Sequence, residues 1–361
     1  MHFEAAVFFA CVVLFTWVGY PALAFLLSKV MPRRPKKAPF RPALSIILPV
    51  HDEGPALEAK IRNILAQGYP RALREIIVVD DGSDDGAVES LPPGLRRAVH
   101  VVTLPVRRGK ACALNAGIHA ATGEILIFTD ARQKMKRGSI QALLKNFYDH
   151  RVTAVTGALR PNAGRAESLF RRYEEALRRF ESAWGSPAGA TGAFYAVRRR
   201  CAAYLPEDTI LDDLVISMTA AARGRLVYEP EAVAIEPHEE AADTWRRRLR
   251  TLAGNWQIVF HPLRYRRIFS RRTAFQLFSH KFLRLAFPVS AAGLALSLAP
   301  IAPLAAAAAA SGIAATAALR LLPAGGFAGT AAELARSLFL APVGALTRYL
   351  RGRETVLWQR R

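Results

Sequence analysis

Charged side chains are absent from Ala5–Ser28, a 24-residue run. At 1.5 Å per residue it is long enough to cross a hydrocarbon core of about 30 Å, and predicts a transmembrane helix at 5–28. From Ala43 to about His238 the pattern changes. Short apolar, β-rich runs at Leu44–Leu48, Ile76–Val79, His100–Leu104, Ile125–Thr129 and Thr153–Val155 read as buried strands. Between them lie amphipathic helical windows at Pro55–Gln67, Lys110–Ala121 and Gly138–Tyr148, the first two closed by Gly68 and Gly123. Strand–helix alternation of this kind predicts an α/β domain with a mainly parallel sheet covered on both faces. A second charge-free run, Leu285–Leu319, suits a hairpin turned near Pro300 and Pro303, or one span with a tail. Ser337–Thr347 is too short to span alone. Two or three membrane helices are therefore expected over 285–350. Arginines alternate with Tyr265, Phe269, Phe275, Phe278 and Phe282 in between, which predicts an interfacial segment over 258–284.

Charge sharpens this division. The 361 residues carry 50 Lys+Arg against 29 Asp+Glu, a formal net charge of +21. Lys29–Arg41 holds six basic residues and no acid, and Arg246–Arg284 holds eleven and none. The rest is nearly balanced, so nucleic acid is not an expected partner and membrane lipids are. Basic residues after the first span place the N-terminus outside and the middle domain in the cytoplasm of a multi-pass cell-membrane protein. The proline-basic stretch Pro32–Pro42 reads as a disordered linker. Cys11, Cys112 and Cys201 have no Cys-x-x-Cys spacing and form no disulfide framework.

In a parallel sheet the ligand lies beyond the carboxyl ends of the strands. Here those ends are acidic: Asp52-Glu53 after the first strand, Asp80-Asp81-Gly82-Ser83-Asp84-Asp85 after the second, and Asp130-Ala131-Arg132 after the fourth. Like charges converging on one crevice call for a cation or hydrogen-bond donors, and Lys110 is the natural partner. A nucleotide and a metal fit that pattern. The chain lacks Gly-x-Gly-x-x-Gly after the first strand, and Gly109-Lys110-Ala111 lacks the remainder of a P-loop. Val79 stands where an Asp-x-Asp phosphatase would need its first acid.

Pro49…Asp52-Glu53, Val79-Asp80-Asp81-Gly82-Ser83, and Arg108-Gly109-Lys110 with Ala113-Leu114-Asn115-Ala116-Gly117 together resemble a known family. It is the family 2 inverting glycosyltransferases of GT-A fold, in their membrane polysaccharide-synthase-like branch. The resemblance covers about 43–257. It implies that Glu53 and Asp81 contact the uracil of a UDP-sugar with Asp80 beside them, and that Lys110 lies near the diphosphate. Asp130 matches the first acid of the Asp-x-Asp motif, hence Mg2+ or Mn2+. Thr191-Gly192 looks like the acceptor-site turn. Asp213 of Asp212-Asp213-Leu214 matches the general base, with Asp212 facing another way on the same turn. Arg248 and Arg250 lie in a segment similar to Gln-Arg-x-Arg-Trp of processive synthases and would stabilise the diphosphate.

Two departures qualify the match. Arg132 replaces the second motif acid, and so either leaves the ion to Asp130, diphosphate and water or takes over part of its charge. Arg247 and Thr251 replace the glutamine and tryptophan of the synthase segment, with Trp245 or Trp256 as candidate substitutes. His238 is a further metal candidate. The implied activity is transfer from a UDP-sugar to a glycan hydroxyl in cell-surface polysaccharide synthesis. A lipid-linked acceptor, or a non-catalytic nucleotide-sugar-binding membrane subunit, are the alternatives.

Overall fold

The computed structural model describes residues 2–161, 169–237, 241–303 and 336–352. They divide into two units, one built mainly from 28–239 and 265–274, the other from the apolar N-terminal helix with 240–264 and most of the described C-terminal residues.

The first unit is a sheet domain. Its strands are β1 (Leu44–Val50), β2 (Arg74–Asp80), β3 (His100–Thr103), β4 (Ile125–Thr129), β5 (Lys134–Met135), β6 (Val152–Pro161), β7 (Phe194–Arg198) and β8 (Arg225–Glu236). They form one eight-stranded sheet in the order β3-β2-β1-β4-β7-β6-β8-β5. β3, β2, β1 and β4 are mutually parallel, as expected. In the other half β6 and β8 also pair in parallel, while β7 runs antiparallel to both β4 and β6, and β5 antiparallel to β8, so the mainly parallel sheet expected is made mixed by two reversed strands. The two sheet halves thus meet at the β4–β7 pair, where Asp130 and Gly192 lie close in sequence to the strand ends.

Every residue of β1 is buried, because both faces are covered. Leu44, Ile46 and Leu48 pack with Leu57, Ile61 and Ile64 of α2 (Gly54–Leu65, labelled after the N-terminal helix α1). On the opposite parity, Ile47 and Val79 meet α3 (Lys110–Ala120). Gly117 makes that approach possible: a Cβ there would lie 2.6 Å from the Ile47 side chain. The predicted helix 138–148 is α4 (Ser139–Leu144) followed by a tighter 3-10 turn, Lys145–Tyr148. α5 (Leu169–Trp184) and α6 (Asp212–Ala222) complete the domain.

Pro32–Pro42 is not a disordered linker. Arg33 N–H donates to Ala183 O at 2.6 Å, Lys36 N–H to the Asp149 carboxylate at 3.3 Å, and Lys37 Nζ to Glu229 at 2.7 Å. Buried Arg225 donates to the carbonyls of Ser182, Gly185 and Arg33, and Tyr69 Oη to Pro42 O at 2.6 Å. A chain this rich in proline has few backbone donors of its own, so extended packing against the domain satisfies it without secondary structure. Tyr265 and Ile268, within the segment expected at the membrane surface, are buried in this domain, whereas Phe275 and Phe278 are exposed.

The second unit is helical. α1 (His2–Val30) is one helix of 29 residues, long and apolar enough to cross a membrane by length and composition. It packs on α9 (Phe287–Leu298), with Trp17 edge-on to Phe287 at 5.5 Å and the Arg284 guanidinium 4.9 Å over the Trp17 ring. α8 (Arg271–Leu285) and α9 meet at a 63° bend, and only together do they reach the length and apolarity of a span. α7 (Ala241–Phe260) packs on α10 (Ala341–Leu350) through Leu249, Ala253, Ala341 and Ala345. α9 ends in a turn at residues 299–301, at the expected Pro300, and the rest of the expected hairpin, from residue 304, lies outside the described residues.

Candidate active site

The loops after β1 and β2 are tied to each other. Asp52 takes a left-handed conformation at φ +50°, which an aspartate tolerates better than most residues. Its N–H donates to Ser83 Oγ at 3.1 Å and its carboxylate accepts the Asp84 N–H at 3.0 Å. Asp85 accepts the Gly54 and Ala87 N–H groups at 2.8 and 3.0 Å, and Asp80 accepts the N–H and hydroxyl of Ser83. Asp81 is wholly buried, and its two carboxylate oxygens accept the N–H groups of Arg108 and Gly109, each at 2.7 Å. Much of the acidity in these loops is thus engaged in holding backbone.

Asp81 thereby fixes the start of α3 and the position of Lys110. Gly109, at φ +92°, lets the chain turn into that helix. Asn115, one turn on, exchanges two 2.8 Å hydrogen bonds with the backbone of Leu205 and secures α3 to the segment leading to α6. Lys110 Nζ then lies 2.8 Å from Asp130 Oδ1 and 3.4 Å from Asp212 Oδ2. Burial disfavours its charge, but Asp130 and Asp212 outweigh that and hold its pKa above the ordinary lysine value.

Asp212 and Asp213 open α6, where the helix dipole favours carboxylates. They do face different ways. Asp212 turns to Lys110, which makes it part of the site, while Asp213 turns to Gly192. A Cβ at Gly192 would lie 3.2 Å from Asp213 Oδ2, so glycine leaves that carboxylate accessible. The turn is held by Ala190 N–H to Ser217 Oγ at 3.0 Å and Thr191 N–H to Thr156 Oγ1 at 2.9 Å.

Glu53 and Arg132 form an ion pair, Nε to Oε2 at 2.7 Å. The cation that replaces the second motif acid is therefore engaged by the neighbouring strand-end carboxylate. Sequence reasoning missed Lys60. It lies on α2, 1% exposed, and donates to Thr129 Oγ1 at 2.7 Å and Gln133 O at 2.6 Å; Thr129 donates in turn to Ala193 O at 3.0 Å. Burial lowers its pKa to about 7 against the opposing charge of Asp130. A lysine at an otherwise apolar helix position, between Leu57 and Ile64, was the available signal.

The residues fit a divalent ion in one mode only. Among the described residues no three His, Cys, Asp or Glu side chains come together. Asp130 alone, with diphosphate oxygens and water, is a donor set that Mg2+ or Mn2+ accepts. His238 lies outside the described residues. Arg248 and Arg250 stand on α7 in the helical unit, where Arg248 donates to Ser337. Trp256 packs there too, donating to Pro342 O at 3.1 Å and stacking on Phe260, and Trp245 lies against the same cluster.

A model described as glycosyl transferase family 2 matches residues 45–199. The poly-beta-1,6-N-acetyl-D-glucosamine synthases of Staphylococcus aureus (strain COL) and Staphylococcus epidermidis are 26% and 25% identical over 232 residues, 60% of this chain and 55% of theirs. The chain thus spans about half the length of the curated relatives it matches. A mannosyltransferase from Pyrobaculum calidifontis, solved in complex with GDP-Man and Mn2+, is 26% identical with a TM-score of 0.75, over 98% of this chain and 100% of its own.

Proposed function

The chain is a family 2 glycosyltransferase, and from that premise we propose that it transfers a sugar from a nucleoside-diphosphate donor, a UDP-sugar, to a glycan hydroxyl during polysaccharide synthesis. The observation that carries this reading is Lys110 held between Asp130 and Asp212, with Asp213 Oδ2 beside Gly192. Asp213 accepts the proton of the attacking hydroxyl. UDP leaves from the opposite side of the anomeric carbon, so the configuration inverts. Lys110 meets the charge that gathers on the departing diphosphate, and Asp212 keeps it protonated. A divalent ion, when bound at Asp130, supplies further positive charge to the same group. Glu53 and Asp80 lie at the nucleoside end, Asp81, buried and engaged by backbone N–H groups rather than facing the uracil, positions the start of α3, and Arg132 holds Glu53 until donor arrives. α1 anchors the enzyme in the cell membrane, with Lys29–Arg41 keeping the sheet domain cytoplasmic.

A second reading, a GDP-sugar donor, draws on the whole-chain likeness to the mannosyltransferase. Membranes containing the protein, given radiolabelled UDP-GlcNAc or GDP-Man, separate these readings by which nucleotide is released. The partition of label between lipid extract and insoluble polymer identifies the acceptor. A purified protein that binds neither UDP nor GDP and turns over neither donor would overturn the proposal.

A further inference from the structure

α2 holds the segment beyond β4 through polar side chains on its buried side. Lys60 Nζ donates to Thr129 Oγ1 at 2.7 Å and to the Gln133 carbonyl at 2.6 Å. Asn63, one turn later, exchanges hydrogen bonds of 2.9 and 2.8 Å with the Met135 backbone. The five residues that Lys60 bridges alternate in direction. Thr129, Ala131 and Gln133 turn inward, at 1%, 7% and 9% exposed. The side chains of Asp130 and Arg132 are 29% and 37% exposed, and reach Lys110 and Glu53. Lys60 thus ties down both inward ends of a loop whose outward side chains belong to the site. Thr129 carries the link further, donating to Ala193 O at 3.0 Å, next to the Gly192 that lies beside Asp213.

Stability gives little reason for a lysine at this position. Lys60 makes no ion pair among the described residues, and both its acceptors are neutral. Burying an amine costs free energy that an apolar side chain of similar length would not. What the apolar side chain could not do is bond both ends of the loop. We propose that Lys60 is a positioning residue for sugar transfer, setting the 129–133 loop so that Asp130 meets Lys110. The proposal rests on the transferase reading of the site and names what orients its diphosphate side. Lys60 touches no substrate and acts through Asp130.

Full-length variants test this, assayed with whichever of UDP-GlcNAc and GDP-Man the wild type turns over. Lys60→Met keeps the apolar stem and loses both bonds, so kcat per folded protein should fall about 10–100-fold. Thr129→Val keeps the lysine but removes its acceptor on β4. It should lower kcat in the same direction, and carries the test if Lys60→Met does not fold. Asn63→Ala cuts the bonds to Met135 from the same helix. It should lower the melting temperature and leave kcat near the parental value. Added to Asp130→Asn, neither Lys60→Met nor Thr129→Val should reduce the residual rate further, because the residue they act through is already lost. A further loss in that background, parental kcat in both single variants, or an equal loss in Asn63→Ala would overturn the proposal. Wild-type protein that turns over neither donor would instead overturn the transferase reading, and the proposal with it.

Discussion

Two acidic regions lie at the strand ends of this domain, and composition alone does not distinguish them. In the β1 and β2 loops, Asp52, Asp80, Asp81 and Asp85 accept backbone N–H groups of nearby turns. At the β4–β7 junction, Asp130 and Asp212 face the Lys110 ammonium, while Asp213 accepts the Leu214 N–H at 2.8 Å through Oδ1 and sets Oδ2 beside Gly192. A carboxylate whose oxygens are all taken by local amides is a structural anchor. One that faces a cation is available for chemistry. What separates the two regions is what the carboxylates face, not the number of acids.

The sharpest way to break this contrast is Asp213→Asn. Transfer should fall by ~10²–10⁴ as the proton acceptor is lost, while nucleoside diphosphate affinity measured by calorimetry stays near the parental value. Asp130→Asn comes next. Turnover should drop, and its dependence on added Mg2+ or Mn2+ should weaken, read as activity against ion concentration in chelator-treated protein. On the other side of the comparison, Asp81→Ala leaves two buried N–H groups unpaired. It should lower unfolding free energy by about 2–4 kcal/mol in urea, with activity falling in step.

Lys60 tests what lies between the two regions. The folded domain releases its proton near pH 7, whereas the unfolded chain keeps it to the ordinary value of 10.5. Unfolding therefore takes up a proton between those values, and stability rises with pH across that window. Lys60→Met should abolish the rise, checked by urea unfolding at pH 6 and pH 9. The smallest effect belongs to Asp85→Ala, an anchor on the exposed side of the β1–β2 loops. It should cost about 1 kcal/mol or less and leave turnover unchanged.

The parallel half of the sheet was legible because its strands are continuous apolar runs, as strands buried on both faces must be. Of the other half only β6 was, as the run Thr153–Val155. β8 is interrupted by Pro230 and by the charged pair Glu229 and Glu231, and β7 is five residues between a Gly-containing turn and the two arginines Arg199 and Arg200. Register brings β7 beside β4, and no local pattern in Phe194–Arg198 encodes that neighbour. The site divided in the same way. The motifs singled out Lys110, Asp130 and Asp213. The orientation of Asp212 toward Lys110 and the pairing of Arg132 with Glu53 arise from contacts between residues far apart in the chain. Lys60 escaped notice because a basic residue on an amphipathic helix ordinarily belongs to the solvated face.

The packing of Arg33–Pro42 bears on where this domain can be cut. Motif boundaries alone would start a soluble fragment at Ala43. Such a fragment would lose the Arg33 carbonyl from the buried Arg225 guanidinium and the Pro42 carbonyl from Tyr69. Ten residues that a protease would be expected to strip from a loose tether instead have backbone groups hydrogen-bonded to the domain they lead into, although most of their side chains stay exposed. A fragment beginning at Lys29 keeps these bonds, so limited proteolysis should spare 33–42.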